Sequence, residues 1–212
     1  MIVLRAKNVD YEVTYVDLRN KPEWFLEISP RGKVPVLVVD EQPLFESNAI
    51  AEYLDEVVEP RLHPEDPIKR ARNRAWNDYV PDFSSGINYY YSKTRDAMDE
   101  KIENAPKFLG IIERALNEER ENDGPYFNGD KLCLVDASYA PFLQRFMIVD
   151  RVAKSGLLDN YPRVKAWAEA LLANDAVSGS VVANFEDELV ANIKRREFFV
   201  ASMFDGQAAA AE

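Results

Sequence analysis

The stretch RGKVPVLVVDEQPLFESNAIAEYL, residues 31–54, determines the fold of the first part of the chain. Its Val-Pro pair opens a β-branched apolar run, which predicts a buried strand over residues 34–39. A Gln-Pro turn and a short returning strand follow. The Glu-Ser pair then precedes a helix over residues 48–58, whose apolar positions share one face. The stretch therefore predicts a β-hairpin followed by a helix.

The residues before this stretch predict three further elements. Residues 1–7 resemble the end of a helix. Residues 11–18 alternate between Tyr or Val and other residues, which indicates a strand. Pro22 suits the first turn of a short helix that ends at Ile28. Together these elements predict an α/β domain over residues 1–58.

The rest of the chain predicts an all-helical domain. A Pro-rich linker, residues 59–67 (EPRLHPEDP), leads into it, and the domain extends over residues 68–204. Apolar spacing predicts helices over residues 68–91, 96–121, 136–151, 162–173 and 185–199. The helix over residues 136–151 is apolar nearly all round, which is typical of a buried central helix. We expect the tail, residues 205–212, to be disordered.

Composition excludes several classes of function. The net charge is -11, which argues against nucleic-acid binding because phosphate neutralisation needs clustered Lys and Arg. No apolar run approaches the roughly 18 residues of a membrane span. The N-terminal residues lack the architecture of a signal peptide, since charged residues interrupt their apolar stretch. We therefore expect a soluble, cytoplasmic protein without membrane contacts.

The chain has a single cysteine, Cys133, and a single histidine, His63. These counts exclude an internal disulfide, a Cys-x-x-Cys redox pair and a Cys/His zinc site, and we expect no metal. A catalytic triad would have to use His63, which we instead expect to be a solvated linker residue. Cys133 has no basic partner in the local sequence, so a buried structural thiol is favoured over a nucleophile.

With these motifs the chain resembles the cytosolic glutathione transferase superfamily over nearly its whole length. The residues that carry the resemblance are Val34-Pro35, Glu46-Ser47 and Ala49-Ile50 with Tyr53-Leu54. The segment NKPEWF at residues 20–25 is similar to the sequence of omega-class members at the matching position. Lys33, just before Val34, is similar to the residue found there in plant-type and related bacterial members. The resemblance implies a thioredoxin-like N-terminal domain, here without its first strand, followed by a helical-bundle C-terminal domain.

The resemblance also implies a glutathione site beside Val34. We expect Pro35 to be cis as in the family, which points the backbone of Val34 at the cysteinyl part of the ligand. The alternative is an ordinary trans proline at the start of a strand. Lys21 matches the omega-class lysine near the glycyl carboxylate, and Lys33 is an alternative for that role. Either lysine could equally be a solvated surface charge.

The two ends of this implied site have separate candidates. Glu46 would take the ligand's ammonium group, and Ser47, at the start of a helix, would take its γ-glutamyl carboxylate. The alternative is that Ser47 only caps the helix. The helical domain would supply a pocket for the second substrate. Its candidates are Trp76, Tyr79, Phe83, Tyr89, Tyr90 and Tyr91, although aromatic residues at helical spacing more often belong to the core.

The family's catalytic Cys, Ser or Tyr would align about seven residues before Met1, so we assign no catalytic residue within this chain. Without the first strand, residues 11–18 and 34–39 would face each other across about 10 Å, unpaired. We therefore expect either a re-paired sheet or a longer natural protein.

The implied function is glutathione-dependent chemistry by a homodimer. With glutathione as co-substrate, it is either conjugation to a hydrophobic small molecule, as in detoxification, or thiol transfer to a small electrophile or disulfide. The alternative is a non-catalytic scaffold that binds a protein partner, as stringent starvation protein A binds RNA polymerase.

Overall fold

The computed structural model describes the backbone of residues 1–208 and the side chains of residues 1–204. The N-terminal part contains helices α1 (Ile2–Ala6), α2 (Glu23–Ile28) and α3 (Ser47–Val57) and strands β1 (Val36–Val39) and β2 (Gln42–Phe45). The two strands form an antiparallel hairpin with Val36 opposite Phe45 and Val39 opposite Gln42. The predicted hairpin and the helix after it are confirmed. The turn lies at Asp40 and Glu41, however, and Gln42 and Pro43, which were predicted to form it, belong to β2. The prediction that the first strand is buried is wrong, since no residue of β1 is buried and Val38 is 51% exposed.

The predicted strand over residues 11–18 is wrong. In the described part of the chain the sheet consists of β1 and β2, and residues 11–17 have no regular secondary structure. A strand forms only when its backbone N–H and C=O groups pair with a neighbour, and no strand lies beside this segment. Val13 and Tyr15 are accordingly exposed, with 42% and 72% of their surface accessible.

The second part is all-helical, as predicted. Its helices are α4 (Pro67–Asp78), α5 (Val80–Ile87), α6 (Arg95–Glu118), α7 (Leu134–Ala153), α8 (Pro162–Ala173), α9 (Asp175–Ser178), α10 (Phe185–Arg195) and α11 (Ala201–Ala208), with 3-10 turns at Tyr89–Tyr91 and Leu157–Asn160. The single helix predicted over residues 68–91 is divided at Tyr79, where α5 begins with a proline in its first turn. No helix in the described residues is long and apolar enough to cross a membrane.

The tail, residues 205–212, is predicted to be disordered. Residues 205–208 form the end of α11, and the disorder of the tail stays a prediction. The remaining residues, 209–212, lie outside the described residues.

Helix α7 is the buried centre of the helical part, in agreement with its apolar pattern. It packs against α4 and α8. Near its start the fully buried carboxylate of Asp136 accepts hydrogen bonds from the backbone N–H of Phe127 (2.9 Å) and of Cys133 (2.7 Å) and from Trp167 Nε1 (2.6 Å). Burial raises the pKa of Asp136. This carboxylate thus ties the preceding loop and α8 to the central helix.

A buried lysine joins α1 to the linker. Lys7 Nζ donates to the carbonyl oxygens of Val58 (2.6 Å) and Pro60 (2.7 Å) and lies 2.9 Å from Asp55 Oδ1. Asp55 also accepts from the backbone N–H of Leu62 at 2.6 Å. The linker is therefore held against the N-terminal part by buried polar contacts.

The expectation that His63 is a solvated linker residue is wrong. The residue is buried, and its Nε2 lies 2.7 Å from Glu52 Oε1. Glu52 in turn pairs with Arg74 of α4, whose Nη2 lies 2.6 Å from Oε2. The linker folds back onto α3 and buries His63, although the Pro-rich sequence around His63 predicted an exposed side chain.

Candidate functional site

A shallow cavity of about 70 Å³ lies where the loop before β1 meets the start of α3. It is lined by Ser29, Arg31, Lys33, Val34, Pro35, Phe45, Glu46 and Ser47. Five of the six residues predicted to bind glutathione therefore come together here. The sixth, Lys21, does not line the cavity. Its Nζ lies 3.5 Å from the position that a Cβ on Gly32 would occupy, so its side chain passes beside the same loop.

The loop that presents Val34 is held by a serine that sequence reasoning missed. Ser29 Oγ donates to the carbonyl oxygen of Lys33 (2.9 Å) and accepts from the Lys33 N–H (3.0 Å). Gly32 between them has φ +57°, a conformation that glycine adopts freely. The Val34–Pro35 peptide bond is cis. The signal in the sequence for this turn is the segment SPRG, residues 29–32, whose proline and glycine interrupt helices and strands.

Glu46 and Ser47 stand at the junction of β2 and α3. Glu46 is the N-cap residue with φ 66°, a left-handed conformation that few residues other than glycine adopt. Ser47 is the first residue of the helix and not its N-cap, and the side chain of the N-cap residue, Glu46, forms no cap hydrogen bond. The first N–H groups of α3 therefore remain available to an anion, and the helix dipole favours negative charge at the same place.

The cavity carries charges of both signs. Arg31 Nη1 lies 2.5 Å from Glu46 Oε1, and both side chains are about half exposed, at 56% and 49%. Lys33 also lines the cavity. Within the described residues, neither Lys21 nor Lys33 forms an ion pair. Arg31 was not among the predicted residues, because the pairing of two residues 15 positions apart depends on the hairpin between them.

The aromatic residues predicted for a second-substrate pocket fall into two groups. Phe83 and Tyr90 are at most 1% exposed and belong to the core. Trp76 and Tyr79 are partly buried and pack edge to face with ring centroids 6.1 Å apart. Neither group lines the cavity at Ser47. Helical spacing is common to core and pocket residues, so the sequence could not separate the two groups.

A second, larger cavity of about 380 Å³ lies between the start of α4 and the end of α6. Four of its six charged side chains pair with one another. Lys69 Nζ lies 2.7 Å from Glu121, and Arg72 Nη1 lies 3.6 Å from Glu119. None of the residues predicted to bind glutathione lines this cavity, so the smaller cavity at α3 is the better candidate.

Cys133 is confirmed as a buried thiol. It is 3% exposed, and burial together with the nearby Asp136 carboxylate raises its pKa well above the usual range. A thiol in this environment stays protonated at neutral pH and is a poor nucleophile.

Comparison with known proteins gives the same family from both halves of the chain. Residues 1–57 match the family described as glutathione S-transferase, N-terminal domain, and residues 78–179 match glutathione S-transferase, C-terminal domain. Glutathione transferase GST 23 of Zea mays is 32% identical over 200 residues, covering 92% of this chain and 87% of that protein.

Two further relatives extend the comparison. Glutathione S-transferase omega-1 of Mus musculus is 32% identical over 180 residues, covering 84% of this chain and 72% of that protein. The crystal structure of rice GST1 in complex with glutathione has a TM-score of 0.74 and 26% identity, covering 92% of this chain and 90% of that one.

Proposed function

Because the chain belongs to the glutathione S-transferase family, we propose that it binds glutathione in the cavity at the start of α3. The observation that carries this proposal is the convergence of Val34, Glu46 and Ser47 on one cavity. The free N–H groups at the start of α3 match the carboxylate of the ligand, and the carboxylate of Glu46 matches its ammonium group. The exposed backbone of Val34, just before β1, matches its peptide group.

Each part of the ligand has a proposed partner. Ser47 and the first N–H groups of α3 take the γ-glutamyl carboxylate, and Glu46 takes the ammonium group. The backbone of Val34 pairs with the cysteinyl residue, and Lys33 or Lys21 takes the glycyl carboxylate. Enclosed ligand pockets are typically about 300–1,000 Å³, so a cavity of about 70 Å³ seats only one end of the tripeptide. The remainder lies on the open surface beside the cavity.

The proposed chemistry is transfer of the glutathione thiol, either to a hydrophobic electrophile or to a disulfide. Trp76 and Tyr79, the partly buried members of the predicted aromatic set, are the proposed contacts for the hydrophobic partner. The residues named here account for binding, and none of them is assigned to activation of the thiol.

We further propose that the protein is cytoplasmic and forms a homodimer. Val57 at the end of α3 and Ile68 at the start of α4 are 57% and 68% exposed, so they provide apolar surface for a partner copy. Light scattering after size exclusion would test the dimer, which predicts twice the 24.2 kDa mass of the chain. A monomer at all concentrations would contradict it.

A glutathione-affinity column tests the binding site. We expect the wild-type protein to be retained and to elute with free glutathione. Ser47→Ala and Glu46→Ala should abolish retention, because each charge-assisted hydrogen bond lost weakens binding by about tenfold or more. Glu56→Ala, an exposed glutamate on the same helix, is the matched control and should be retained.

The outcomes separate the proposed enzyme from a scaffold. Retention of both site variants at the wild-type level would contradict the assigned residues. Flow-through of the wild-type protein would contradict glutathione binding itself and would favour the non-catalytic, protein-binding alternative.

A further inference from the structure

The cavity at α3 contains an ion pair that the roles proposed above do not use. Arg31 Nη1 is 2.5 Å from Glu46 Oε1, and Glu46 is the residue proposed to receive the ligand's ammonium group. Arg31 also lines the cavity. In the free protein, therefore, a cation of the chain itself already occupies the carboxylate that the ligand needs.

The guanidinium has further capacity at this place. It carries five N–H donors, and the hydrogen bond to Glu46 is the one that it makes among the described residues. The other donors are free to meet a second acceptor. A carboxylate is the acceptor whose geometry matches this planar fork best.

We propose that Arg31 is a specificity-determining residue, whose guanidinium binds the α-carboxylate of the ligand's γ-glutamyl end while Glu46 binds the adjacent α-ammonium. This inference rests on the proposed function. Glu46 and Arg31 form a pair of opposite charges, and the α-amino-acid end of the ligand is a second such pair. The two pairs fit side by side with each charge next to its opposite.

The start of α3 and Arg31 can share the ligand carboxylate, since it has two oxygens with about four acceptor positions. Arg31 also offsets a repulsion that the site would otherwise contain. The ligand's carboxylate is attached to the same carbon as its ammonium group, so it must approach the negative charge of Glu46. The site therefore selects ligands with a complete, zwitterionic α-amino-acid end.

The simpler interpretation is a surface ion pair without a role in binding. Exposed pairs contribute little to stability, about 0–1 kcal/mol, so the free energy of unfolding cannot decide between the two interpretations. Ligand affinity can decide, because the proposed role depends on one chemical group of the ligand.

Isothermal titration calorimetry with three probes tests the proposal. The probes are glutathione, 4-aminobutyryl-Cys-Gly, which lacks the α-carboxylate, and glutaryl-Cys-Gly, which lacks the α-ammonium. In Arg31→Met we expect the affinity for glutathione to fall about tenfold, as for loss of one charge-assisted hydrogen bond. Affinity for 4-aminobutyryl-Cys-Gly should stay at the wild-type value, because Arg31 has no carboxylate there to bind.

Two variants serve as controls. Arg19→Met removes an exposed arginine that is also paired with an aspartate, Asp17, and should leave all affinities unchanged. Arg31→Lys keeps the charge without the planar fork and should fall between wild type and Arg31→Met.

The proposal is overturned if Arg31→Met binds glutathione as tightly as wild type, or if it loses the same factor for glutathione and for 4-aminobutyryl-Cys-Gly. Either result would leave glutathione binding intact. Failure of the wild-type protein to bind glutathione at all would overturn both this inference and the proposed function.

Discussion

The two halves of the molecule, the N-terminal part up to α3 and the helical part from α4 onwards, differ in how much apolar surface they bury. The helical part has a continuous core in which Trp167, Tyr139 and Phe146 are at most 1% exposed. The N-terminal part has a small cluster around Ile50 and Leu54, and it leaves large side chains exposed. The candidate site lies in this thinly packed half. Binding segments are commonly the less stable parts of a fold, since they must adjust to a ligand.

The largest expected effect is the loss of stability on removing a buried tryptophan of the helical part, compared with an exposed tryptophan of the N-terminal part. Trp167→Ala should lower the free energy of unfolding by about 3–5 kcal/mol, because it opens a cavity and removes a hydrogen bond to the buried Asp136. Trp24→Ala, at a position 46% exposed in the N-terminal part, should change it by less than about 0.5 kcal/mol. Urea denaturation measures both, and equal losses would contradict the contrast between the halves.

A smaller, more local effect is expected at Lys7. Lys7→Met leaves the buried Asp55 carboxylate without its cation, which should cost about 3 kcal/mol in the N-terminal part. Hydrogen exchange should show faster opening of α1 and α3 while α7 keeps its protection. The exposed Lys131→Met variant is the control. Uniformly faster exchange across both halves would show that the N-terminal part does not unfold separately from the helical part.

The smallest effect concerns the pH dependence of the contact between the halves. Burial alone would raise the pKa of Glu52, but hydrogen bonds from Arg74 and His63 outweigh it and lower the pKa below the ordinary value of 4.5. The stabilisation by this carboxylate is therefore present above its unfolded-state pKa and is lost as the pH falls through the lower folded-state pKa.

Glu52→Gln isolates this contribution. The stability difference between wild type and this variant should be constant near neutral pH and should shrink below about pH 4.5 as Glu52 is protonated in the folded state. Urea denaturation across this range measures it. A difference that is the same at every pH would show that protonation of Glu52 is not coupled to stability.

Much of the fold and of the candidate site could be predicted from the sequence. Pro162 and the apolar spacing after it predicted the bounds of α8, and the Val-Pro and Glu-Ser pairs predicted the hairpin and the start of α3. The same pairs identified four of the eight residues that line the cavity. These predictions succeeded because they depend on backbone preferences and on contacts between residues close in the chain.

Other features required the tertiary structure. The alternation in residues 11–18 indicated an extended chain, but a strand also needs a partner for its hydrogen bonds. The burial of His63, the core position of Phe83 and the pair between Arg31 and Glu46 depend on which distant segments meet. The sequence by itself predicted the family, most of the local elements and the residues of the candidate site. Only the packing of these elements decided which side chains are buried and which charges face one another, because both depend on distances between residues far apart in the chain.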